Sequence, residues 1–123
     1  MRSFSRADRV GKRIREDVAA LLTTRINDPL LKSATITGVK LTQDLMLARV
    51  YYCISGDQEQ KEAVAGAFAR ATGFIKRELA ASLAIKHMPQ IEFLYDETVE
   101  RGKRIDALLR EAAASMAPEP PVK

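Results

Sequence analysis

Apolar side chains near the start of the chain recur at helical spacing: Val10, Ile14, Val18, Leu21 and Leu22 form one stripe. Ser5, with Asp8 three positions on, supplies an N-cap and an imperfect capping box. The predicted helix covers residues 5–25 and ends before Asn27-Asp28-Pro29, because the residue preceding a proline is pushed out of the α region. The period then changes. Residues 34–42 are rich in β-branched side chains, and Gly38 among them predicts a bulged strand. Residues 45–55 alternate, with Met46, Ala48, Val50, Tyr52 and Ile54 on one side and Leu47, Arg49, Tyr51 and Cys53 on the other. The short polar link Gln43-Asp44 makes an antiparallel hairpin the natural connection.

Helical spacing returns in Val64, Phe68, Ala71, Ile75, Leu79 and Leu83. One straight helix over residues 58–85 would be roughly 40 Å long, whereas a domain of this length is only about 35 Å across. Gly73 lies near the middle, so the segment is expected to form two helices, or one sharply kinked helix, broken around Ala71-Thr72-Gly73. A third strand is expected over residues 90–95, where Ile91, Phe93 and Tyr95 alternate with polar positions; it can pair in either sense. A last helix is expected over 98–115, burying Ile105, Leu108, Leu109 and Ala112. Residues 1–116 then make one domain, and residues 117–123, with three prolines, make a disordered tail. Helices on one face of a small three-stranded sheet give an α+β fold.

Charge changes the picture at the N-terminus. Residues 1–25 carry seven bases and three acids, while the remainder carries thirteen of each, so the whole net charge of +4 sits on the first segment. A concentrated positive field suits a polyanionic partner, although charge alone fits a solubilising N-terminus equally well. Arg2, Arg6, Arg9 and Arg13 are spaced by four, three and four, which places them along one helix face beside the apolar stripe. Guanidinium forks suit phosphate oxygens; the bland alternative is a solvated face balanced by Asp8, Glu16 and Asp17. Lys76 and Arg77 follow Gly73, and a helix start there would add free N–H groups favourable to a phosphate. Gly73 is otherwise a packing glycine. Lys86, Arg101, Lys103 and Arg104 are weaker candidates.

Little points to catalysis. The single histidine, His87, and single cysteine, Cys53, are the only nucleophile–base combination of that type, and a cysteine in an apolar strand reads better as a small core residue. Zinc-ligand spacing and phosphate or dinucleotide loops are absent from the sequence, so no metal and no cofactor is expected. A lone cysteine and the absence of a long apolar run indicate a cytoplasmic, non-membrane protein. Tyr52 and Phe93 fall in core register; Tyr51 remains open as a base-stacking platform.

The order helix, strand, strand, helix, helix, strand is that of a type II KH domain, but no two of the six glycines are three apart, so the Gly-x-x-Gly loop of that domain is missing. Ala71-Thr72-Gly73, running into Phe74-Ile75-Lys76-Arg77, stands in its place. Together with Arg6-Ala7-Asp8-Arg9-Val10, Asn27-Asp28-Pro29, Thr42-Gln43-Asp44-Leu45, residues 93–98, and Gly102 followed by Ile105-Asp106-Ala107-Leu108-Leu109, this resembles the bacterial ribosome-binding factor A family. Thr98 stands where a serine is usual. The resemblance implies a KH-like fold with an Ala-x-Gly kink and a non-catalytic, cytoplasmic factor for the free or immature 30S subunit. That factor assists 16S rRNA processing, supports growth in the cold, and is released with help from a GTPase. A monomer is expected.

Overall fold

The computed structural model describes residues 5–83 and 85–115. Helix α1, Arg6–Thr24, is opened by a reciprocal cap: the Asp8 amide donates to Ser5 Oγ and the Ser5 amide donates to the Asp8 carboxylate, each at 3.1 Å. Asp at the third helical position therefore completes the box that its shorter side chain made look imperfect. A one-turn helix, α2 (Pro29–Lys32), was not evident from the pattern. Asp28 caps it, Pro29 pre-sets its first turn, and Leu31 is fully buried.

Strands β1 (Thr35–Leu41) and β2 (Leu47–Cys53) pair antiparallel, and the register shifts between Ile36 and Gly38, where the sequence predicts the bulge. The reversal uses more residues than the expected link. Leu45 takes a left-handed conformation, φ 64°, and Asp44 accepts from Thr42 Oγ1 at 2.6 Å and from the Met46 amide at 3.0 Å. Leu45 and Met46 thus belong to the turn, and Met46, expected on the inner face, is 65% exposed. Strand β3, Gln90–Tyr95, pairs with β2 in parallel, giving the order β1-β2-β3.

Helix α3, Gln58–Ser82, rules out one of the two expected forms, a division into two helices: Ala71, Thr72 and Gly73 are all helical within one element capped by Asp57. The apolar stripe Val64, Phe68, Ile75 and Leu79 stays in phase through the glycine, so one face is buried along the helix, against β3, α1 and α2. The length conflict is resolved by overhang, since Gln58, Glu59 and Gln60 are exposed. Gly73 is also exposed, and a Cβ there would meet only the end of the Arg77 side chain at 3.7 Å, so it is not a packing glycine either.

The core lies between one sheet face and helices α1 and α3. Phe68 stacks on Phe93 with ring centroids 4.5 Å apart and meets Tyr52 at 4.4 Å. The opposite sheet face carries Arg49, paired with Glu92, and half-buried Tyr51 and Cys53. Helix α4, Glu97–Ser115, is the second correction. Its expected buried face is exposed, with Ile105, Leu108 and Leu109 at 54–62% and Ala112 also exposed. Two helices at 8–10 Å spacing already cover three strands about 4.8 Å apart, leaving no width for a third. Only the root of α4 is tied down. Glu100 accepts from Tyr95 Oη at 3.2 Å and pairs with Lys61, whose ammonium lies over the Tyr95 ring. Residues 116–123, which include the expected tail, lie outside the described residues.

Because Gly73 sits in mid-helix with open space beside it, Gly73→Ala should stabilise the domain by about 0.5–1 kcal/mol through the unfolded chain. Thermal unfolding should show a midpoint several degrees higher, and a fall would reveal a constraint on the helix at that residue. Asp96 gives a second test. It accepts from Thr37 Oγ1 at 2.5 Å and from the Thr98 amide and hydroxyl, tying the end of β3 to β1 and opening α4. The Thr37 and Thr98 hydrogen bonds hold its carboxyl below the usual aspartate range. That stability is present above the unfolded pKa and is lost as pH falls through the lower folded one. Asp96→Asn should therefore be less stable than wild type in urea at pH 7, with the gap narrowing towards pH 3. A gap independent of pH contradicts this.

Candidate nucleic-acid interface

Helix α1 buries Ile14, Val18 and Leu22 and presents bases on both remaining flanks. One flank faces α3. There Asp17 accepts from Ser82 Oγ at 2.7 Å, and Arg13 pairs with Asp17 at 3.2 Å and donates to the Ser82 carbonyl at 3.4 Å. Of the predicted residues, Arg6, Arg9 and Arg13 are exposed on the first turns of α1, while Arg2 lies outside the described residues. Arg13 is thus partly spent on the α1–α3 contact, whereas no ion pair engages Arg6 among the described residues.

Lys76 is half-buried and Arg77 exposed on α3. The continuous helix removes the expected helix start, so no free backbone N–H groups accompany them. They are beside Glu78, which pairs with Arg25 at 2.9 Å just past the far end of α1. Arg13 and Arg25 are twelve residues apart, roughly 18 Å along the axis. Along α3, by contrast, Lys76 and Arg77 precede Ser82, the residue that Arg13 reaches, by only six and five residues, roughly 8–9 Å.

Sequence reasoning did not single out Arg70, Lys12 or Arg15. Arg70 lies over Gly66 as Arg77 lies over Gly73, so the two arginines, seven residues apart, share the outer face of α3. The seven-residue spacing was legible but was obscured by the expected break. Lys12 and Arg15 lie on the other flank of α1, beside β1, whereas Lys40 of β1 pairs with Arg49 and turns to the opposite sheet face.

The structure does not bring His87 and Cys53 together. Gln90 pairs with Leu47, so His87 lies near one end of β2, and Cys53 lies at the other, roughly 20 Å along the strand. Carboxylates held below their usual range belong to structural contacts: Asp44 through its Thr42 hydrogen bond in the hairpin, and Glu100 through Lys61 at the root of α4. Among the described residues no group of three potential metal ligands converges, and no helix is long and apolar enough to cross a membrane. Tyr51 is half-buried in a shallow cleft beside Asp96 and Thr98, where a carboxylate disfavours phosphate.

Residues 6–109 match the family model for ribosome-binding factor A. Among curated relatives, ribosome-binding factor A from Desulfatibacillum aliphaticivorans is 51% identical over 98% of each chain. The protein of the same name from Desulfosudis oleivorans is 50% identical over 90% of this chain and 86% of the relative. In structure, ribosome-binding factor A from Thermus thermophilus superposes with a TM-score of 0.64 at 22% identity, covering 72% of this chain and 94% of that one. A Thermus thermophilus model fitted into a map of a 30S complex superposes with a TM-score of 0.59 at 23% identity, covering 71% and 91%. These neighbours share the α+β, KH-like architecture. The chain belongs to the ribosome-binding factor A family.

Proposed function

We propose that this protein is a cytoplasmic, monomeric assembly factor that binds the free or immature 30S subunit through 16S rRNA. In this reading one KH-like domain does the binding, assists rRNA processing and late maturation, and leaves with the help of an assembly GTPase. A role during growth in the cold follows from the same activity. The observation that carries the reading is the exposed arginine face of α1, Arg6 and Arg9 above all, on a chain of this family. The Thermus thermophilus relative fitted into a 30S complex supports the choice of partner. The chemistry is binding only. Rigid helices present guanidinium groups to phosphates.

Arginines projecting from helices contact phosphates without reading base edges, so affinity should depend steeply on salt. In sucrose gradients of cell extract the protein should migrate with free small subunits and not with translating ribosomes. The Arg6→Ala/Arg9→Ala double variant should remain folded and bind subunits more weakly. Its slope of log affinity against log salt should be shallower by roughly 0.7–0.9 per lost phosphate contact. Arg13→Ala should flatten the slope less, because Asp17 already neutralises that side chain. An unchanged slope in the folded double variant would remove α1's first turns from the interface and move attention to Lys76, Arg77 and Arg70.

A further inference from the structure

Helix α4 joins the domain through a single residue. Strand β3 ends at Tyr95 and α4 begins at Glu97, so the direction of the whole helix depends on the backbone at Asp96. Its 19 residues make an arm roughly 28 Å long, and a turn of about 20° at Asp96 would carry the far end about 10 Å. Val99 and Glu100 are half-buried, and every described residue beyond them is exposed. Whatever fixes the direction of the arm therefore acts within its first turn. Two contacts do so: Asp96, which accepts from the Thr98 amide at 2.9 Å, and Glu100, which reaches Lys61 of α3 and Tyr95 of β3.

An isolated surface ion pair holds little, because solvent screens it and two long side chains lose freedom. The Lys61–Glu100 pair is better placed. The Lys61 side chain is only 21% exposed, its ammonium lies 4.7 Å from the centre of the Tyr95 ring, and Glu100 also accepts from Tyr95 Oη at 3.2 Å. Tyr95 is itself held edge-on to buried Tyr52, with ring centroids 5.7 Å apart. The Glu100 hydrogen bond holds Lys61 above the usual lysine range, and Lys61 holds the Glu100 carboxyl below the usual glutamate range, so each keeps the other charged. Glu97 also faces Lys61 but pairs with Arg101 at 3.7 Å.

We propose that Lys61, Tyr95 and Glu100 form a latch that sets the direction of α4, and that without it the arm turns about Asp96 while remaining helical. Arg104, one turn beyond Glu100, already draws on its carboxylate and gives the released side chain a partner within α4. The latch thus decides where the uncovered side of the arm, with Ile105, Leu108 and Leu109, is carried.

The test is the distance distribution between two spin labels in the full chain, read by double electron–electron resonance. Ala19→Cys on α1 and Ala112→Cys on α4, both exposed positions, carry the labels, and Cys53→Ser removes the free thiol. The intact latch should give one narrow distribution. Lys61→Met and Glu100→Ala should each at least double its width, with helix content by circular dichroism unchanged, because the core does not depend on α4. The double variant Lys61→Met/Glu100→Ala should be no broader than either single variant, since both remove one shared interaction. A distribution already broad before either substitution overturns the proposal. So does a narrow one kept by the single variants, which would leave Asp96 alone in charge of the direction. Broadening that adds in the double variant overturns it too, because the two side chains would then act separately.

Discussion

Phe68 is held between Phe93 of β3 and Tyr52 of β2, and this sandwich fixes α3 across the two parallel strands. Parallel strands cannot be joined by a tight turn, so the chain needs a crossover, and α3 is that crossover. With α3 pinned over β2 and β3, α1 is left to cover β1, which it does by bringing Gly11 against Val39. The helical layer is then full. Helix α4 has no room to pack beyond its first turn and leaves the domain with its apolar side uncovered. The positions of the bases on α1 and α3 follow from the same constraint, since the sheet buries one side of each long helix and turns the arginines outward.

Much of this was legible where a local rule acts alone. Ser5 and Asp8 fixed the start of α1, Asp28 and Pro29 its end, and Gly38 the bulge, because caps, prolines and bulges depend on a few neighbouring residues. The alternation of Ala48, Val50 and Tyr52 identified the inner face of β2. The errors came where a local signal competed with packing. Gly73 weakens a helix by only about 1 kcal/mol, which an apolar stripe in phase from Val64 to Leu79 overrides. The stripe on α4 has the same period as a buried one, and periodicity cannot tell whether the rest of the fold offers a surface to bury it.

The site was legible in kind and incompletely in membership. Arginine spacing on α1 indicated one basic flank, but the partners of each arginine depend on tertiary contacts. Asp17 and Ser82 engage Arg13, which lowers its availability, and no helix start accompanies Lys76 and Arg77. Half-buried Gly66 and exposed Gly73 lie beneath the ends of Arg70 and Arg77, and both are costly in a helix interior.

The central claim is that the helical layer, and not the open sheet face, meets ribosomal RNA. A cryo-electron microscopy reconstruction of this protein on the free small subunit tests it most directly. The account predicts Arg6 and Arg9 of α1 and Arg70 and Arg77 of α3 against rRNA phosphates, with Arg49, Tyr51 and Glu92 turned to solvent. Density placing the open sheet face on the RNA, with the α1 arginines in solvent, would contradict it.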